Sequence, residues 1–101
     1  MAFGQFMGLF RQGLNLVQWR ALEAFCAHHE KPESAKIVAE QILSLPEPMQ
    51  SGAIAILQQL EAFDFVAADK AGREQTLMMV AGMNPQAPMV IEALKQAALN
   101  V

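Results

Sequence analysis

The chain has 101 residues and a formal charge of −3, from 7 Lys+Arg against 10 Asp+Glu. Apolar residues make up 53% and charged ones 17%, against roughly 25% charged in an average soluble domain, so a single domain of this size holds more apolar material than it easily hides. The acidic balance and the lack of any Lys/Arg run argue against a nucleic-acid partner, whose affinity rests on phosphate neutralisation.

Gly, Pro and Asn recur every 12 to 20 residues, and the stretches between them carry apolar residues at helical spacing, which predicts an all-α chain of five or six short helices. The first runs near Phe3 to Gly13, with Phe3, Phe6, Met7 and Phe10 on one side, continued by Leu14 and Val17. Asn15 caps a second helix that extends to about His29, with Val17, Ala21, Leu22, Phe25 and Cys26 as its inward stripe. Lys31 and Pro32 mark a turn. Glu33 supplies first-turn negative charge to a third helix carrying Ile37, Val38, Ile42 and Leu43, and Pro46 and Pro48 stop it. A fourth helix is predicted over Met49 to Ala67, using Ile54, Leu57, Leu60, Phe63 and either Phe65 or Val66. Asp69 caps a fifth, Lys70 to Met83, and Asn84-Pro85 opens a sixth that ends near Leu99.

The vocabulary repeats in order. Leu22-Glu23-Ala24-Phe25 recurs as Leu60-Glu61-Ala62-Phe63 at an offset of 38, Glu30-Lys31 as Asp69-Lys70 at 39, and Pro48-Met49 as Pro88-Met89 at 40. Two helix-hairpin units of about 38–40 residues account for this order, which divides the single domain into an apolar N-terminal helix or arm (1–13), unit 1 (14–49), unit 2 (50–89) and a C-terminal capping helix (90–101). In architecture the chain resembles stacked α-hairpin repeats of the HEAT or tetratricopeptide kind. Trp19 followed by Leu22 fits the W-x2-L of the latter, and Ala35 falls at its small position. Glu23 and Ile42 depart from that pattern, as does the period, so no family membership follows. The alternative is a plain orthogonal helical bundle.

One cluster has metal-ligand spacing. Cys26, His29 and Glu30 stand at i, i+3 and i+4 with His28 alongside, but a closed zinc site takes four ligands and the chain has no other Cys or His. The expected reading is a buried small thiol followed by a solvated last helical turn, His28 to Glu30, with no metal and no cofactor. No nucleophile elbow, Gly-rich phosphate loop or Cys/His pair is spaced for catalysis, so no enzyme is expected.

What remains is apolar surface. Met1 to Phe10 hold three Phe and two Met without a charge, and Met78, Met79, Met83 and Met89 gather in the uncharged stretch from Gln75 to Ile91. Unbranched methionines adapt to varied apolar partners. Phe3, Phe6, Met7, Phe10, Met78, Met79 and Met89 are therefore the candidate partner-binding residues, for another protein or a second copy of this chain, in a homo- or hetero-oligomer. The rival readings are a core-packed first helix, a homo-oligomeric structural subunit and a carrier of a small apolar ligand. Membrane contact is disfavoured, because Arg11 alone offers a cation near the first stripe. A lone cysteine and the absence of basic residues before Arg11 point to a cytoplasmic setting.

Overall fold

The computed structural model describes residues 14–101. Every regular element among them is a helix: α1 (Leu16–His28), a short 3-10 turn (Pro32–Ser34), α2 (Ala35–Leu43), α3 (Glu47–Ala62), α4 (Lys70–Ala81) and α5 (Ala87–Leu99). The all-α expectation holds. The first predicted helix, near Phe3 to Gly13, lies outside the described residues apart from the junction at Leu14, which is fully buried. None of the described helices is long and apolar enough to cross a membrane.

Two helix starts follow directly from sequence chemistry. Asn15 Oδ1 accepts from the Gln18 backbone N–H at 2.8 Å, and Gln18 Oε1 accepts from the Asn15 N–H at 3.1 Å, a reciprocal capping box. Asp69 Oδ1 accepts from the Gly72 N–H at 2.8 Å and opens α4 as expected.

Other boundaries differ, each for a local reason. Pro46 is the N-cap of α3 and Pro48 sits in its first turn, where the missing N–H costs nothing; the second proline starts a helix rather than stopping one. Asn84 Oδ1 accepts from the Gln86 N–H at 2.9 Å, which builds a turn, so α5 begins at Ala87 with Pro88 in its first turn. Helix α3 ends at Ala62, five residues short of the expected Ala67, because Asp64 adopts φ 62°. The Asp64 N–H then donates to the Glu61 carbonyl and the Phe65 N–H to the Leu60 carbonyl, both at 3.0 Å. This left-handed turn swings Phe65 into the core and leaves Phe63 exposed. The end of α1 is built identically, with Glu30 at φ 63° and the Lys31 N–H on the Cys26 carbonyl. Accordingly the two Leu-Glu-Ala-Phe runs do not occupy equivalent positions: Phe25 is fully buried inside α1, whereas Phe63 is the exposed C-cap of α3. Val17, expected to face inward, is exposed as well, as is Ile37 among the apolar residues of α2.

Helix α3 is the hub, packed by α1, α2, α4 and α5, and α5 also contacts α2 and α4. Phe25, Phe65, Leu14, Leu22, Leu57, Leu60, Val38 and Val80 form the fully buried centre. Two polar side chains tie the helices through backbone carbonyls. Gln50 Nε2, on α3, donates to the Leu43 carbonyl at 2.9 Å and the Ile42 carbonyl at 3.4 Å, closing the open end of α2. Arg73, on α4, donates from Nε to the Phe65 carbonyl (3.0 Å), from Nη2 to the Val66 carbonyl (2.9 Å) and from Nη1 to the Ala24 carbonyl of α1 (3.4 Å). Its guanidinium also lies 5.4 Å from the Phe65 ring centroid.

Two substitutions test this account. Arg73→Lys keeps the charge and loses the fork of donors, and chemical denaturation is expected to show a loss of about 2 kcal/mol. Asp64→Gly relieves the left-handed strain. It should gain about 0.5–1 kcal/mol and raise the melting temperature by roughly 3–6 °C; a loss of stability would contradict the turn geometry.

Candidate functional site

Three helices leave an open apolar groove of about 530 Å³ between them. One wall comes from α2 and the connection after it, Val38, Gln41, Ile42 and Leu45; the second from the first turns of α3, Pro48, Met49, Gly52 and Ala53. The third is a stripe along α5, in which Met89, Val90, Ala93, Leu94 and Ala97 recur at three- and four-residue intervals after Gln86. Val38, Ile42, Ala53 and Leu94 form a floor continuous with the core, each no more than 5% exposed.

Depth comes from small side chains. A Cβ built on Gly52 would meet no atom within 4 Å, so one wall is open for want of a side chain. Met49 and Met89 stand at the rim, 59% and 70% exposed. Among the described residues, Gln41 and Gln86 are the only polar ones of the lining, and none is charged.

The structure disperses the sequence-based candidates. Met89 lines the groove, whereas Met79 lines a second depression with Phe63, Gly72 and Thr76, and Met78, 75% exposed, lines neither. Phe3, Phe6, Met7 and Phe10 lie outside the described residues. Met49, Gly52 and Val90 were missed, although one signal could have found the first of them. Pro48-Met49 and Pro88-Met89 are the repeated pair at offset 40. Each sits in the first turn of its helix, and both methionines line this groove.

The residues with metal-ligand spacing behave differently from the expected solvated turn. The His28 side chain is 4% exposed, its ring 6.0 Å from Phe65, and the His29 ring is 4.7 Å from Phe25 and 5.0 Å from His28. His29 Nε2 is buried with no hydrogen-bond partner among the described residues. His28, the last residue of α1, and His29, its C-cap, both pack against the aromatic core instead of continuing into solvent. Among the described residues no three His, Cys, Asp or Glu side chains group around a metal position. Burial pushes the Cys26 thiol up from its ordinary range, a shift to which Glu23 and Glu33 add and which a hydrogen bond with Ser34 opposes; a buried thiol in this state is a poor nucleophile.

Burial also holds both histidines below their ordinary value. For His28, Arg73 and Lys70 act in the same direction and Glu74, 3.9 Å away, against it; for His29, His28 and Lys95 assist and Glu92 and Glu74 oppose.

Together the fold and the groove define a small all-helical domain with an uncharged concave face. No known family model matches the sequence, and no curated protein or solved structure is detectably similar to it.

The histidine geometry sets the sign of the acid response. Because the folded pKa values lie below the unfolded value of about 6.5, the neutral rings contribute fully above that pH, and stability falls as pH drops below it. Melting temperature is expected to decline from pH 7 to 5, and the decline should shrink in His29→Gln. A flat profile in the parent protein would contradict buried, neutral rings.

Proposed function

We propose that this protein is a non-enzymatic protein–protein interaction module that holds an amphipathic segment of a partner in the groove between α2, α3 and α5, as an adaptor, an assembly factor or a secretion- or export-type chaperone does. The observation that carries the reading is a lining that, among the described residues, holds no charged side chain, rimmed by Met49 and Met89 and open at Gly52. Apolar grooves of this form receive an amphipathic helix through anchors at helical spacing, and methionine rims adjust to different anchors.

We read the scaffold as stacked helix hairpins, α1–α2 and α3–α4, capped by α5. In support, α1 and α3 finish in the same left-handed turn, with Glu30 and Asp64 34 residues apart, the tetratricopeptide period. Helices α3 and α5 also open with the same Pro-Met pair. The cytoplasm is our proposed setting, on the strength of the single reduced cysteine buried in the core.

A second reading, a carrier of a small apolar ligand, draws on the groove's volume, which falls within the range of about 300–1,000 Å³ usual for such sites. Native mass spectrometry of protein taken from its source separates the two, since a carrier retains added mass. The homo-oligomeric alternative predicts a particle larger than one chain by light scattering.

Methionine methyl NMR gives a direct test with a synthetic 18-residue amphipathic helix as the probe. The Met49 and Met89 signals are expected to shift on titration, and Gly52→Trp, which fills the open wall, to abolish the shifts while leaving the thermal melt in place. Shifts confined to Met78, Met79 and Met83, or no shift at all, would overturn the proposal.

A further inference from the structure

We infer that the His28–His29 pair is an acid-sensitive latch between α1 and α4: when the pair takes up protons, α4 comes away from α1 while α2 and α3 stay packed. The latch is independent of what the groove holds.

The pair sits where the end of α1 meets the α3–α4 connection and α4. The two rings are 5.0 Å apart, the His29 ring lies 4.7 Å from Phe25, and the His28 ring lies 6.0 Å from Phe65. His28 Nε2 is 3.9 Å from Glu74 Oε2, a carboxylate on an exposed side chain of α4, so a proton at His28 finds a counter-charge, although beyond hydrogen-bond reach. A proton at His29 does not fare so well. Its Nε2 is buried with no hydrogen-bond partner among the described residues, and a second charge there faces the first one ring away.

The charged groups acting on the pair, besides the rings themselves, are Lys70, Arg73 and Glu74 of α4 and Glu92 and Lys95 of α5. These are three cations against two carboxylates, so the surroundings as well as burial disfavour a protonated ring.

Helix α4 is the element least able to resist that charge. Of the five helices it buries the fewest side chains, Thr76 and Val80. Thr76 Oγ1 donates to the Gly72 carbonyl of its own helix at 2.9 Å, which leaves Val80, the partly buried Leu77 and the Arg73 fork to hold α4 down. The latch acts on the fork. Arg73 lies 5.4 Å from the centroid of the same Phe65 ring that His28 packs against, and its bond to the Ala24 carbonyl of α1, at 3.4 Å, is the longest of its three. A charged His28 brings a second cation to that ring, and repulsion between the two loads the bond that ties α4 to α1. A segment with so few buried contacts opens at lower cost than the molecule as a whole. Loss of stability in acid therefore begins in one helix, and its release uncovers Phe65 and Val80, both fully buried in the closed fold.

Hydrogen exchange read by mass spectrometry on the full chain tests the latch at about pH 7.5 and about pH 5.5, between which imidazole is the ordinary side chain that titrates, with rates corrected for the intrinsic effect of pH. Protection over residues 63–81 is expected to fall about tenfold on acidification, the equivalent of displacing one group by about one pH unit, while protection over α2 changes by less than about twofold. In His29→Gln the fall over 63–81 should shrink to about twofold. Glu74→Gln, which removes a counter-charge from an exposed position, should deepen it, because the closed state then binds protons still less readily.

Equal losses of protection in α2 and α4 would mean that the whole molecule unfolds together and would overturn the inference. So would an unchanged profile over 63–81, or a fall that His29→Gln leaves as large as in the parent. If His29→Gln folds poorly, Glu74→Gln decides alone: a deeper fall confined to 63–81 supports the latch, and an equal or smaller one overturns it.

Discussion

Arg73 is the contact on which the described arrangement most depends. Its guanidinium donates to carbonyls of the α3–α4 connection and of α1, while its face covers Phe65. Phe65 stands outside any helix and is nevertheless fully buried, and its carbonyl accepts from the Ala68 N–H at 3.3 Å as well as from Arg73. A planar cation with five donors reaches this carbonyl and that of Val66 together, and also fixes where α4 starts relative to α1 and α3. The hub helix α3 thus acquires a defined C-terminal exit. Its opposite end is fixed in a comparable way by Gln50, whose amide closes α2. Between these two polar clasps the apolar core fills in, and the groove opens beside the second of them.

Local chemistry in the sequence located the helices well and their ends less well. Asn15 and Asp69 are caps because short acceptor side chains reach backbone N–H groups three residues on, and such bonds are legible from spacing alone. The ends of α1 and α3 are left-handed at Glu30 and Asp64, where glycine would have been the readable signal. With no glycine there, the helical period of the apolar residues carries the expected fourth helix through to Ala67, which puts Phe63 on its apolar side and leaves Phe65 and Val66 as alternatives. Arg73 was illegible for a different reason. Its acceptors are main-chain carbonyls, one of them on Ala24, 49 positions away, and a carbonyl leaves no mark in a sequence.

The groove was half legible. Methionine enrichment led to Met89, and the Pro-Met repetition contained Met49, but neighbours in sequence were grouped as though they shared a surface. Met79 and Met89 line different depressions because a turn at Asn84 separates α4 from α5, and Met78, adjacent to Met79 on α4, points about 100° round that helix and lines neither. The histidines show the converse. Two ionisable residues at a helix end read as solvated, yet both pack against aromatic rings, His29 on Phe25 and His28 on Phe65, and the second contact, made across the fold, is one that spacing along one helix does not reveal.

Gly52 gives the molecule an adjustable dimension. It lies mid-helix, where glycine costs about 1 kcal/mol relative to alanine, and the space its side chain would occupy is vacant. The depth of the concave face is therefore set at a single position that the core does not use. A graded series at that residue, from alanine through valine to leucine, changes the contour in steps of one or two carbons without repacking the interior. Matched against ligands enlarged or trimmed by the same amount, it amounts to a bump-and-hole pair, in which selectivity is redrawn on both molecules while the scaffold remains as it was.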